Sequence, residues 1–289
     1  MTSQELVDRI TGYRWFRDRK IQIDEGEVLV AANTAQDDIL ADLHPFDDLG
    51  YLATVSGQEQ YTFTRGTVTG ATNLSPITIS ETAHKYHTGD RVTIAGCVGN
   101  TAANGTFIVT YVGANSYSLN GSTGNGAWTS GGYSYHCLIG AERLASDLMD
   151  TVSFKRVVPR RYEQLQGIRG LMIAGNPQWV YQLTKPNSGL TLGFHGIPDA
   201  VRVFEFRYYK IPLPHERISL TVDPWVEEEQ LMFYGTLFYT LDMLKSSSDE
   251  VVERKAAMLY QQYEQVKEGE KILQAKKKYV NDINAGLRF

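Results

Sequence analysis

Histidine and cysteine are the side chains best suited to chemistry near neutral pH, and this sequence places few of them together. His84 and His87 are three residues apart and could share a helix face, but they lie among strand and turn signals with only two acids near them. We therefore expect no metal site there. His136 and Cys137 are adjacent, and adjacent residues of a strand point to opposite faces, which argues against a nucleophile pair.

The paired acids also favour a structural interpretation. Asp37-Asp38 and Asp47-Asp48 are interpreted as helix-surface charge and a loop cap rather than as a cation or acid–base site. No nucleophile elbow surrounds a serine, and the glycine-rich stretch 121–127 has neither usual phosphate-binding spacing nor a lysine. The sequence thus predicts that the protein is not an enzyme and uses no cofactor or metal.

The patch that stands out lies at the C-terminal end of the sequence. A run of three lysines is commonly a solvated helix end, which the helix dipole favours. Alternatively, the run and the short peptide after it form a docking tail, whose apolar residues insert into a groove on a partner. The candidate partner-binding residues are Lys276, Lys277, Lys278, Tyr279, Ile283, Leu287, Arg288 and Phe289.

Composition limits the class of protein. The net charge of −5 argues against general nucleic-acid binding, yet residues 1–60 hold twelve acids and five bases, whereas residues 151–210 hold nine bases and three acids. This segregation suits packing within one subunit or stacking of subunits.

Cys97 and Cys137 match no metal or redox spacing and are expected as buried free thiols, with a single disulfide left open. We expect no signal peptide, no membrane span and synthesis in a reducing cytoplasm.

Helical signals dominate both ends of the chain. Asp223-Pro224 predicts the start of a buried helix that is apolar through Leu244, and Ser247 with Glu250 has capping-box spacing for a second helix to about Val280. The seam of this second helix could pack within the subunit or between subunits; its residues are Val252, Ala256, Leu259, Tyr263 and Val266. Two further helices, at about 3–14 with Ser3 as cap and at 25–43, complete a predicted bundle.

The middle of the chain is rich in turn and strand signals. Between residues 72 and 132 glycine, asparagine, threonine and serine dominate, and short strands are predicted at 77–79, 91–94, 106–111 and 116–119. This stretch is expected to be an inserted β-barrel or sandwich. Residues 141–150 are predicted to be helical, whereas 179–183, 190–194 and 201–210 are predicted to form a small antiparallel sheet. The fold class is therefore α+β: a helical bundle with a small sheet, plus an inserted all-β domain.

A resemblance covers about residues 161–275. A strand at 201–210 ends in paired tyrosines, followed by Pro212 and Pro214, an acidic helix start at 223–229, a glycine-containing helix from Leu231 and a charged helix. This order resembles the C-terminal half of head-to-tail adaptor proteins of tailed bacteriophages. The resemblance implies a ring, commonly a dodecamer, in the virion neck. Such a ring is assembled in the host cytoplasm, binds the portal and a tail or nozzle protein, and leaves a channel for DNA.

A second resemblance concerns the predicted insert. The stretch from Ile94-Ala95-Gly96-Cys97 through Asn104-Gly105-Thr106-Phe107 to Asn125-Gly126-Ala127-Trp128 is similar to a known small β-domain. That domain is named for the first catalytic-cysteine half of ubiquitin-activating enzymes. The resemblance implies a fold only, because the half-domain does not supply the reactive cysteine.

Together these features predict two domains and one principal function. Residues 1–71 and 133–289 are expected to form the adaptor core, and residues 72–132 the inserted β-domain. The predicted function is a structural adaptor ring between portal and tail. One alternative is a carbohydrate- or host-binding module that uses the aromatic residues Tyr111, Tyr117, Trp128 and Tyr133. Another is a tail-tube or stopper protein.

Overall fold

The computed structural model describes residues 1–43, 46–166, 174–185, 189–244 and 250–286. The chain divides into two compact units. Residues 1–45 and 214–289 form the first, which we call the helical unit, and residues 46–213 form the second, which we call the β unit. Each unit has its own cluster of buried apolar side chains.

The helices of the described chain carry most of the helical unit. They are α1 (Ser3–Thr11), α2 (Arg14–Asp18), α3 (Glu25–Leu43), α4 (Tyr162–Gln166), α5 (Glu229–Leu244) and α6 (Glu250–Gly286). Short 3-10 turns lie at Thr101–Ala103 and Pro214–Glu216. Of these helices only α4 belongs to the β unit.

The strands of the described chain all lie in the β unit. They are β1 (Asp47–Ala53), β2 (Gln60–Tyr61), β3 (Gly66–Thr67), β4 (Gly70–Ala71), β5 (Ile77–Ser80), β6 (Arg91–Ala95), β7 (Gly105–Gly113), β8 (Ser116–Leu119), β9 (Tyr133–His136), β10 (Ala141–Leu144), β11 (Leu148–Asp150), β12 (Arg156–Pro159), β13 (Ala174–Gly175), β14 (Trp179–Lys185), β15 (Gly189–His195), β16 (Ile197–Pro198) and β17 (Val203–Lys210).

Two large sheets contain fifteen of these strands, and β13 and β16 form a separate two-stranded sheet. An eight-stranded sheet has the order β1-β17-β11-β12-β14-β15-β2, with β10 also pairing with β17, and a seven-stranded sheet has the order β3-β9-β6-β7-β8-β5-β4. The pairings in both are antiparallel except that between β12 and β14. The predicted fold class, a helical bundle with a small sheet and a β insert, is therefore wrong, because strands in two large sheets form the bigger part of the fold.

Two segments account for much of that error. Asp47-Asp48 begins β1, which pairs with β17 from Asp47↔Tyr209 to Ala53↔Val203, and is not a loop cap. Residues 141–150 form β10 and β11 rather than a helix, because both strands pair with β17. Pairing with one long central strand decides the conformation of short flanking segments whose own patterns are ambiguous.

The predicted division of the chain at residues 72 and 132 stays a prediction. The four strands predicted inside that stretch correspond to β5, β6, β7 and β8. Two strands just outside the stretch, β3 and β9, pair with each other. β9 also pairs with β6, which lies inside the stretch. One apolar cluster includes buried residues of both sheets, among them Leu52 and Val92.

The helical unit begins with a capping box that lies one residue before the predicted cap. The Thr2 hydroxyl accepts from the Glu5 N–H at 3.2 Å, and the Glu5 carboxylate accepts from the Thr2 N–H at 2.8 Å. Asp223 does not cap α5, which starts six residues later. Its carboxylate instead accepts from the Ser3 N–H at 2.8 Å, so it satisfies a free donor at the start of α1.

The helical core is built from the four predicted helical segments. Leu6, Val7 and Ile10 of α1 are buried, as their spacing predicts. Helix α5 packs against α3 and α6 and is buried along most of its length, which agrees with its all-round apolar sequence. The predicted capping pair of α6 lies partly outside the described residues, since Ser247 is not described.

We expect the β unit to fold by itself. Its ends are joined by the pairing of β1 with β17, and its buried cluster is drawn from residues 46–213 only. A fragment of residues 46–213 should give a cooperative thermal transition by circular dichroism and dispersed amide resonances. The fragment 72–132, made in parallel, tests the boundary predicted from sequence. An unstructured 46–213 fragment contradicts the division into these two units.

Candidate functional site

Helix α6 divides at Lys267. We call residues 250–267 the anchored half and residues 268–286 the unpacked half, because none of the described side chains at 268–277 is buried. The described buried side chains of α6 are Val252, Ala256, Leu259, Tyr263 and Lys267. From Glu268 to Lys277 no described side chain is buried, and Ile272 and Leu273 are 49% and 50% exposed. The helical backbone continues to Gly286, so about 28 Å of helix follows Lys267 at 1.5 Å per residue. The predicted seam therefore belongs to the core of its own subunit.

A buried lysine marks the point where α6 leaves this core. The Lys267 ammonium lies 3.0 Å from Asp38 Oδ2, 2.8 Å from Asp42 Oδ2 and 3.0 Å from Glu264 Oε1, with 5% of its side chain exposed. Asp38 also accepts a hydrogen bond of 2.6 Å from the Tyr263 hydroxyl. One cation thus joins α6 to two successive turns of α3.

The electrostatics of this cluster hold it in its charged form. Burial alone would lower the pKa of Lys267, but hydrogen bonds to Asp42, Glu264 and Asp38 outweigh burial and raise it. The hydrogen bond from Lys267 lowers the pKa of Asp42 below 3.8. The direction in which α6 leaves the helical core is therefore fixed by charge as well as by packing.

The sequence-predicted docking residues fall on the unpacked half of α6 or after it. Lys276 and Lys277 are exposed. Lys278, Tyr279 and Ile283 lie on the helical backbone, whereas Leu287, Arg288 and Phe289 lie outside the described residues. The predicted end of this helix at about Val280 is too early, because α6 runs to Gly286.

The unpacked half of α6 has one apolar stripe in its sequence. Positions 272, 279 and 283 follow spacings of seven and four, which place them on one side of a helix, and positions 271, 274 and 278 are polar. Such a stripe on a helix of which no described side chain beyond Lys267 is buried is typical of a surface that another chain covers. The sequence predicted a helix to about Val280 and a short docking peptide after it, whereas the helical backbone continues to Gly286.

The β unit contains a small pocket. Its volume is about 300 Å³, and residues of 63–69 and 81–86 line it. Glu81 is buried in its wall, where Oε2 accepts from the Tyr117 hydroxyl at 2.8 Å. Gly66 passes so close to this carboxylate that a Cβ there would collide with Oε1. Tyr117, one aromatic residue proposed for sugar binding, is fully buried and contributes to the core instead.

The histidines considered as metal ligands point to different partners. A ring nitrogen of His84 lies 2.8 Å from the Gly113 carbonyl oxygen, whereas His87 Nδ1 lies 3.9 Å from Asp90 Oδ2. Among the described residues, no group of three or more histidine, cysteine or acidic side chains could hold a metal ion.

His136 and Cys137 lie closer together than their alternation along a strand predicts. Cys137 Sγ is 3.6 Å from His136 Nδ1, because Cys137 lies just beyond the end of β9. The Leu138 N–H donates to the same nitrogen at 3.2 Å, and Phe63 stacks on the ring at 3.6 Å between centroids. His136 is fully buried and Cys137 is 7% exposed, so both side chains lie inside the β unit. Both Cys97 and Cys137 are free thiols, which confirms the preferred expectation.

Comparison with known proteins leaves the site to be interpreted on its geometry. No protein-family model matches this sequence, and no curated protein matches it. Within the described chain, no helix combines the length and the apolar character needed to cross a lipid bilayer.

Proposed function

We propose that this protein is a structural subunit of a head-to-tail adaptor ring in a tailed bacteriophage, and that it binds the portal through the unpacked half of α6. The ring joins the portal to a tail or nozzle protein and leaves a channel for DNA in the virion neck. The observation that carries the proposal is the length of α6 beyond Lys267: no described side chain there is buried, and its described contact with α3 is the half-exposed ion pair of Lys271 with Asp42. The sequence resemblance to adaptor proteins supports the same assignment.

The chemistry of this helix suits protein docking. Ile272 and Leu273 are each about half exposed, and burying the rest of such a side chain contributes on the order of 1 kcal/mol. The exposed Lys276 and Lys277 add cationic contacts at the edge of the stripe. A modest gain per subunit becomes a firm joint when a ring engages a ring, because each further contact is intramolecular.

Matched substitutions along one helix test the proposal. We expect I272E to weaken binding to the purified cognate portal at least tenfold, because a carboxylate replaces an apolar contact. M258E is the control: Met258 is 43% exposed on the anchored half, close to the 49% of Ile272. Binding is measured by co-sedimentation, and the complexes are imaged by electron microscopy.

Truncation provides the second arm of this test. Removal of residues 281–289 should leave the thermal midpoint nearly unchanged, because the buried side chains described in α6 end at Lys267, while portal binding is lost. Portal binding by both I272E and the truncated chain at the affinity of the unmodified protein overturns the proposal. Equal losses of portal binding in I272E and M258E also overturn the proposal, since the contact would then not be specific to the unpacked half of α6.

A further inference from the structure

One surface of the β unit combines exposed apolar side chains with cations. The turn between β11 and β12 presents Val152, 83% exposed, and Phe154, 73% exposed. Four cations follow in the next seven residues, and all are exposed: Lys155, Arg156, Arg160 and Arg161. We call these six residues the basic patch.

The strand β12 holds this patch in place. Val157 is buried against the core, so its neighbours Arg156 and Val158 face outward in the usual alternation. β12 lies between β11 and β14 inside the eight-stranded sheet, which makes it a rigid support. Arg156 and Arg160 are separated by about 13 Å along an extended chain at roughly 3.3 Å per residue.

The cations of the patch are unpaired within the described part of the β unit. Other arginines of the same unit have partners: Arg91 pairs with Asp48 at 2.8 Å, Arg202 with Asp150 at 3.4 Å and Arg207 with Asp47 at 2.6 Å. No ion pair joins Lys155, Arg156, Arg160 or Arg161 to a described carboxylate. Two exposed apolar side chains lie beside four cations that have no described ion-pair partner. This is the composition of a protein interface, which has an apolar centre and a polar rim.

The helical unit carries a surface of opposite charge. Asp24, Glu25 and Glu27 are exposed at the start of α3, and no ion pair engages them within the described residues. Val30, 57% exposed, lies three residues from Glu27 and so on the same side of the helix. These four residues form the acidic patch, which complements the basic patch in both charge and apolar character.

We propose that the basic patch of one copy docks on the acidic patch of a second copy of this chain. The two patches are different surfaces, so the contact is head-to-tail, and a head-to-tail contact closes into a ring when its rotation permits. This inference deepens the proposed function, since it rests on the ring and names the contact between its subunits. It is separate from the portal contact, which uses α6.

The test uses two full-length variants that each lose one patch. R156E/R160E removes the net positive charge of the basic patch, and E25K/V30K removes the net negative charge of the acidic patch without touching the α3 cap contacts of Asp24 and Glu27. In sedimentation velocity at increasing protein concentration and low salt, each variant alone should self-associate about tenfold more weakly than the unmodified chain. Circular dichroism and thermal melting confirm that both variants are folded.

Mixing the variants gives the decisive result. Each variant keeps one intact patch, so an equimolar mixture should form dimers at about the original affinity and nothing larger. R207Q is the matched control, because Arg207 lies in the same sheet and is exposed but already paired with Asp47. A mixture that stays as monomeric as its components overturns the proposal.

A second readout separates this partner from nucleic acid. Binding of a fluorescent DNA duplex is measured for the unmodified chain and for R156E/R160E. Loss of DNA binding with unchanged self-association overturns the proposal and assigns the basic patch to a nucleic-acid backbone. Portal binding by I272E is scored separately, so failure of the copy-to-copy contact and failure of the proposed function are distinguishable.

Discussion

Replacement of Asp90 by alanine should destabilise the β unit by about 3–5 kcal/mol, the range for removing one member of a buried charged network. Asp90 is fully buried. Its Oδ1 accepts from the Ala53 N–H at 2.6 Å, and its Oδ2 accepts from the His87 N–H at 2.7 Å. The ring of His136 adds a third contact, with Nε2 3.6 Å from Oδ1.

The reason for so large an effect is that Asp90 connects the two sheets. Ala53 ends β1 of the eight-stranded sheet, whereas Asp90 directly precedes β6 of the seven-stranded sheet. Without the carboxylate, two backbone donors lose their acceptor, and the donor of the fully buried Ala53 cannot turn to water. The two sheets then lose a polar contact that packing alone does not replace.

Urea unfolding of the full chain measures this effect, and hydrogen exchange locates it. Exchange should quicken in β1 and β6 together in D90A. D47A is the control, because Asp47 and its partner Arg207 are 43% and 62% exposed, and an exposed ion pair contributes at most about 1 kcal/mol. If D90A unfolds at the same urea concentration as D47A, the sheets do not depend on this carboxylate.

The helical half of the fold could be predicted because its signals are local. The apolar spacing of α3 predicts its bounds, and the buried pattern of α6 follows the predicted steps of four and three. Helix caps were harder to predict. Asp223, followed by Pro224, looks like a helix start, but the Asp223 carboxylate instead binds the start of α1, 220 residues away in sequence. The type of a capping residue does not show which helix its side chain will cap.

The sheets were underestimated because their partners are distant in sequence. β1 pairs with β17 across more than 150 residues, and two-residue strands such as β2 carry no periodicity of their own. Strands with alternation and clear turns, such as β5 and β8, were found. A sheet is specified by which strands pair, and a single sequence contains that information only weakly.

The candidate site was located from sequence only in part. Apolar and basic residues near the C-terminus pointed to the end of α6, and their role in docking stays a prediction. Lys267 was overlooked because one lysine among many charged residues on a helix looks solvated. Only the spatial position of Asp38 and Asp42 on α3 shows that this lysine is buried and bound.

Replacement of Lys267 by methionine should destabilise the helical unit by about 2–3 kcal/mol. Methionine keeps the aliphatic contacts of the side chain and removes its ammonium, so three carboxylates that shared one cation are left close to each other. The expected destabilisation is smaller than that for a fully buried charged network, because Asp38, Asp42 and Glu264 are 33–41% exposed and water screens their charges.

The matched control lies one helical turn further along α6. Lys271 also faces Asp42, at 3.4 Å, but 38% of its side chain is exposed, so K271M should change stability by less than about 1 kcal/mol. Thermal and urea unfolding, with hydrogen exchange across residues 250–277, compare the two variants. Equal stabilities for K267M and K271M would show that burial of Lys267 contributes nothing.

The pH dependence follows from the lowered pKa of Asp42 and separates charge from packing. A carboxylate whose pKa is depressed in the folded state adds stability that is present at neutral pH and is lost as pH falls below 3.8 through the lowered pKa. K267M lacks the cation that depresses this pKa, so the stability difference between it and the unmodified protein should shrink as pH falls through that window. If the difference stayed constant down to acid pH, lost packing rather than lost charge would explain the variant. Because Lys267 is the last buried residue among the described side chains of α6, the same loss of charge should also loosen the helix beyond it.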